Sequence, residues 1–167
     1  SHTEEVPSFL PDRFEPGTPN IPGILGLHAA LCDLEQTDMD KLHQHELELT
    51  QYFINGLMQM DPSESTLRAI GKHNTIERTS VVSVQTLQTD MARVAYEMDD
   101  TYGIMTRVGL HCAPSAHKTL GTYPEGTIRF SFGPENTHHE VDLALHALAE
   151  ITGSPYPVSY THLTLPT

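Results

Sequence analysis

Apolar residues recur along this chain first at helical and then at strand spacing. Ile24, Leu27, His28 and Leu31 share one face of a helix that Asn20 is placed to cap. Leu42, Leu49, Phe53, Leu57 and Met60 follow at spacings of seven, four, four and three. That stripe predicts a long amphipathic helix, begun by the capping-box-like Thr37-x-x-Asp40 and stopped by Asp61-Pro62. Short β-branched or apolar runs at 66–70, 79–84 and 104–108 read as strands. A helix is predicted over about 89–101, with Met91, Val94, Ala95 and Met98 on one side. From Thr127 to Phe132 the period is two: Ile128, Phe130 and Phe132 alternate with Thr127, Arg129 and Ser131. The last helix opens on the capping box Thr137-His-His-Glu140 and carries Val141, Leu145 and Leu148 on its inner face. Two helices followed by strands interspersed with helices predict an α+β layer, helices packed on a small mixed or antiparallel sheet.

The ends differ from this middle. Residues 1–20 contain four prolines and no sustained period, so they are expected as extended chain or loop. The expected organisation is a segment with its linking helix over 1–36 and a compact domain over 37–153. The stretch 154–167, ending Tyr160-Thr-His-Leu-Thr-Leu-Pro-Thr167, fits no element. It reads as a non-native tail.

Charge narrows the function classes. The 167 residues carry 22 acids against 9 bases, a formal net charge of −13. A nucleic-acid surface needs clustered Lys and Arg, and no cluster exists, which also argues against anionic membranes. No apolar run approaches the roughly 20 residues that span a bilayer, and no signal peptide is visible at Ser1. Cys32 and Cys112 suggest no disulfide framework, so a reducing, cytoplasmic setting is expected.

The densest reactive segment is Arg107-Val-Gly-Leu-His-Cys112-Ala-Pro-Ser-Ala-His117-Lys118. A strand would deliver Arg107, Gly109 permits a sharp turn, and Cys112 would sit in a loop before a short helix. Cationic neighbours such as Arg107, His111 and Lys118 favour a thiolate, the nucleophilic form. Taken alone, Cys112 fits equally well as a small buried hydrophobe. Arg129, set between Ile128 and Phe130, suits the bidentate grip of a carboxylate or else a structural ion pair. The eleven histidines include His43-x-His45 and His138-His139, whose spacings do not share a helical face; His111, Cys112 and His117 could converge, but no Cys-x-x-Cys or His-Glu-x-x-His pair accompanies them, so no metal site is expected. Phosphate-loop, dinucleotide and hydrolase-elbow motifs are not found.

Three segments together resemble one family. Arg13-Phe-Glu-Pro-Gly17-Thr18-Pro-Asn20 resembles the R-F-E-x-G-T-P-N motif of cysteine desulfurases. Arg107-Val-Gly-Leu-His111-Cys112-Ala resembles their R-x-G-x-H-C-A loop. Thr127-Ile-Arg129-Phe-Ser131, with Asn136-Thr137 and Glu140-Val141-Asp142, resembles the closing stretch of such proteins. Order and spacing agree, and the match runs from about residue 5 to 152. The resemblance implies the C-terminal small domain of a fold-type I enzyme using pyridoxal phosphate, of the class V aminotransferase fold. It implies conversion of L-cysteine to L-alanine, with Cys112 as the nucleophile that keeps the sulfur as a persulfide. Arg129 would hold the substrate carboxylate, Arg107 would be a second active-site arginine, and His111 neighbours the nucleophile. Gly17 and Thr18 would reach the cofactor phosphate of the other subunit in a homodimer, the amide and hydroxyl both being donors. A sulfur-acceptor protein and a place in iron–sulfur cluster assembly are further implications.

The pattern departs from the family at Ser115 and Glu135. The family's cofactor lysine, pyridine-nitrogen aspartate and ring-stacking histidine belong to a larger N-terminal domain with no counterpart here. The chain is therefore expected as a C-terminal portion, inactive alone. Alternatives are a stand-alone thiol or persulfide carrier or binding module, and a fragment of a selenocysteine lyase or another class V aminotransferase.

Overall fold

A computed structural model describes residues 8–15 and 17–155, so the stretch from residue 156 that was read as a tail lies outside the described residues. The chain divides into two compact units, Ser1–Met39 and Asp40–Thr167.

The first unit is built around helix α1 (Ile21–Gln36). Asn20 accepts from the Gly23 amide at 3.2 Å, and Pro22 sits in the first turn, where its missing N–H costs nothing. Thr37 ends this helix; it does not begin the next. Its amide bonds to Leu34 O and its hydroxyl to Asp33 O at 2.9 Å, so the capping-box reading of Thr37-x-x-Asp40 is corrected. Its hydroxyl and amide satisfy carbonyls that the helix end leaves open.

The second unit takes in α2 (Met39–Met60) from Asp40 onward. Strands β1 (Leu67–Ile70) and β2 (Val81–Thr86) come next, then α3 (Met91–Tyr102) and β3 (Arg107–Gly109). A short α4 (Pro114–Leu120), β4 (Thr127–Ser131) and α5 (His138–Thr152) complete it. The strands form one antiparallel sheet in the order β1-β2-β4-β3. The period-two pattern sets its two faces: Leu67, Ala69, Val82, Val84, Ile128 and Phe130 are buried on one. Against them lie the inner stripes of the helices: Leu49, Phe53, Leu57 and Met60; Met91, Val94 and Met98; Val141, Leu145 and Leu148. Phe53 packs on Phe130 at 4.7 Å between ring centroids and on Phe132 at 5.3 Å. The helices thus cover one face, and the other carries Arg107, Arg129 and Ser83 together with Ile70 and Val81.

Two predicted strands are redrawn. The run at 104–108 yields only the three residues of β3, because Ile104 still belongs to the α3 exit, its amide bonded to Met98 O. The run at 79–84 starts at Val81 and extends to Thr86, where Thr86 faces Leu67 across the ladder. Asp90 caps α3, and the predicted Thr137–Glu140 box caps α5 with both of its hydrogen bonds formed.

Candidate active site

The open face of the sheet carries the chemistry. Ladder register lines up Ile70, Ser83, Arg129 and Arg107 in one row across the four strands. Arg107 and Arg129 are direct cross-strand partners, so two guanidinium side chains leave the same face side by side. Arg107 is exposed and Arg129 half-buried, its Nε buried without a hydrogen-bond partner. Like charges set opposite one another are unfavourable, and a buried N–H left unpaired is costly. An anion between the two groups relieves the first of these costs.

β3 then delivers the turn predicted to hold the nucleophile. Gly109 has φ +111°, and the next turn residues, His111 and Cys112, have φ +48° and +60°. Consecutive non-glycine residues in the left-handed region are uncommon and strained by about 1–3 kcal/mol each. They lift the Cys112 side chain into solvent, where it is exposed and free of any disulfide. Gly126, at φ +82°, closes the base of the turn: a Cβ there would collide with the Gly109 backbone.

Side chains anchor the turn from two directions. His111 Nε2 lies 3.1 Å from Thr127 O and 3.3 Å from Thr127 Oγ1 at the start of β4. His117, buried in α4, holds Thr122 Oγ1 at 2.6 Å through Nδ1. Its ring stands 5.9 Å from that of His111. Burial, followed by the charges of Arg129, His117 and Arg107, pushes His111 below the ordinary histidine value, against the raising effect of the Thr127 carbonyl. Lys118, expected beside Cys112, instead sets its ammonium 5.1 Å above the Tyr123 ring. Thr127 and the His117–Thr122 pair were not foreseen. The alternation that placed Arg129 also puts Thr127 on its face, two residues away, and that was the available signal.

Gly17 and Thr18 are exposed in the chain before α1, in the first compact unit. Among the described residues no group of three or more His, Cys, Asp or Glu side chains could hold a metal ion. His45, one of the histidines weighed for metal, instead pairs its Nε2 with Asn136 O at 2.9 Å.

The model of the aminotransferase class-V family matches residues 3–144. The chain belongs to the class V aminotransferase family. A probable cysteine desulfurase of Borreliella burgdorferi is 31% identical over 144 residues, covering 86% of this chain and 33% of that protein. Another from Pyrococcus abyssi is 35% identical over 144 residues, with 86% and 34% covered. An apo cysteine desulfurase structure from Thermococcus onnurineus NA1 superposes with a TM-score of 0.74 at 33% identity, covering 86% of this chain and 34% of that one. The chain is thus a cysteine-desulfurase-like region spanning about a third of the length of these relatives. The family implies pyridoxal phosphate as cofactor. Of the lysines, Lys72 pairs with Glu77 at 2.7 Å and Lys118 rests on Tyr123, so neither of these two is presented to that group.

Proposed function

We propose that this chain is the C-terminal third of a cysteine desulfurase, with Cys112 as the residue that takes sulfur from L-cysteine. The carrying observation is the strained, solvent-facing Cys112 turn tied by His111 to the strand that bears Arg129. The net reaction balances without an external oxidant. The substrate C–S bond is exchanged for a C–H bond in alanine, and Cys112 S–H becomes S–S–H.

In this reading Arg129 and Arg107 grip the substrate carboxylate as a pair, since planar forked donors fit a planar anion. Gly17 and Thr18 donate to the cofactor phosphate across a homodimer. The cofactor lysine lies in the part of the intact protein outside this third. A sulfur-acceptor protein, a role in iron–sulfur cluster assembly and a cytoplasmic setting complete the proposal; two free cysteines support the last. Among the described residues no helix is long and apolar enough to cross a membrane.

The test uses the intact cofactor-loaded protein and L-cysteine. Cys112→Ser should lower alanine formation by about 10³-fold or more, as removing a nucleophile does. Unchanged alanine formation in the variant would remove Cys112 from the reaction. Activity on selenocysteine with none on cysteine would assign the chain to the lyases instead.

A further inference from the structure

Two residues along β2 from Ser83, and so on the same open face of the sheet, stands Gln85. It is only 7% exposed, and both ends of its amide are engaged. Its ladder partner on β1, Arg68, donates through Nη2 to Oε1. A guanidinium can only donate, so that bond fixes which end of the amide is oxygen. The other end is the NH2 group, and its Nε2 donates to Gly126 O at 3.3 Å. Gln85 thus ties β1 to the foot of β4 across 41 residues of sequence.

Gly126 is where the Cys112 turn rests. A Cβ on Gly126 would strike the Gly109 carbonyl, so the two backbones are in contact there. Gly109 leads through Leu110 into His111 and Cys112, both in the left-handed region. Non-glycine residues keep that conformation only where the surrounding structure over-determines it. One restraint lies within the turn, the Ala113 amide on Leu110 O at 2.8 Å. The others are the Gly109 contact with Gly126 and the His111 tie to Thr127, the next residue. Both depend on where residues 126 and 127 lie, and Gln85 holds that point from β2.

We propose that Gln85 is a positioning residue for Cys112. Its amide fixes Gly126, and through Gly126 and Thr127 it keeps the turn in the strained form that presents the sulfur. It acts through the backbone. This deepens the desulfurase reading and rests on it for the use made of Cys112, but one of its readouts needs neither cofactor nor turnover.

Gln85→Glu turns the donating end of the amide into an acceptor at nearly constant shape. The bond from Arg68 is kept and becomes an ion pair, while a carboxylate oxygen is set against the Gly126 carbonyl. In the 167-residue chain the unfolding temperature should stay within about 5 °C of the parent value. Exchange of the Ala113 amide, followed by NMR, should nevertheless rise about fivefold or more, the opening expected from one lost hydrogen bond. Gln85→Met, similar in length and without a donor, should raise it likewise. Thr137→Ala, beyond the far end of β4, should do the reverse and lower the unfolding temperature with Ala113 exchange unchanged. In the intact, cofactor-loaded protein, Gln85→Glu should lower kcat for alanine formation about fivefold or more. KM for L-cysteine should stay within about twofold, because Arg107 and Arg129 are untouched.

Ala113 exchange that ignores both Gln85 variants, or rises equally in Thr137→Ala, would overturn the proposal. So would a Gln85→Glu chain that unfolds well below the stated window, since Gln85 would then serve the fold at large. An unchanged kcat in Gln85→Glu, where Cys112→Ser is inactive, would also overturn it. If Cys112→Ser kept full activity while Ala113 exchange rose as expected, the desulfurase reading alone would fall and the positioning of the turn would stand.

Discussion

Cys112 and Cys32 share a side chain but not a setting. Cys32 sits within α1 with Sγ 3.8 Å from the His28 ring, whereas Cys112 stands exposed on a left-handed turn beside a basic cluster. In a folded sample Cys112 is expected to alkylate several-fold faster than Cys32 at neutral pH, read by peptide mass spectrometry. Equal rates would contradict the activated setting. Asp61 shows what a single residue contributes to stability. Burial opposes its charge, yet the amides of Leu67 and Thr66 and the Ser63 hydroxyl hold its carboxyl at about 2. A depressed carboxyl stabilises the fold above its unfolded value and loses that contribution as pH falls through the folded one. About 2 kcal/mol should therefore disappear between roughly pH 4 and 2, and Asp61→Asn should flatten this limb in denaturant titrations. An unchanged acid limb in Asp61→Asn would assign it to other carboxylates. The motifs named Cys112, Arg107, Arg129 and His111. His117 was already a candidate to converge on His111, but the Thr127 partner stayed hidden, because it meets His111 across 16 residues of sequence through folding alone.

At the scale of elements, legibility followed length and period. α2 and α5 were readable because their stripes persist over several turns, and β4 because it alternates cleanly. β3 was readable as a strand carrying Arg107 but not in its bounds, since three residues carry too few positions to separate a strand from an approach to a turn. Close approaches were equally invisible. Gly56 lets α2 meet α5, where a Cβ would strike the Leu145 side chain; Gly126 lets β4 meet the β3 turn, where a Cβ would strike Gly109 backbone. Gly56→Ala should cost about 1–3 kcal/mol through overpacking and leave Cys112 alkylation unchanged. Gly126→Ala, with backbone as the obstacle and φ in the left-handed region, should additionally disturb the turn and alter the Cys112 rate. Identical effects of the two substitutions would separate Gly126 from the site. Removing the α5 cap with Thr137→Ala should cost about 1 kcal/mol in thermal or denaturant unfolding.

Over the whole molecule, acids outnumber bases by more than two to one, yet Arg107 and Arg129 share the open face of the sheet. Concentrating scarce positive charge on one face of a strongly acidic chain suits a small anionic substrate and gives a polyanion no extended surface. The first unit presents the opposite feature. Ile21, Ile24, Leu25, Leu27, Leu31 and Leu34 of α1 are 45–62% exposed, and none of its residues is buried. An apolar helix face of this kind marks an interaction surface. The 167-residue chain is expected to self-associate in size-exclusion chromatography, and a stable monomer at all concentrations would contradict this. The measurement that bears most directly on the central proposal is the state of Cys112 after the intact, cofactor-loaded protein meets L-cysteine, with thiols alkylated and the Cys112 peptide weighed. One added sulfur atom on Cys112, with Cys32 unchanged, is the predicted result. Alanine produced while Cys112 gains no sulfur would contradict it.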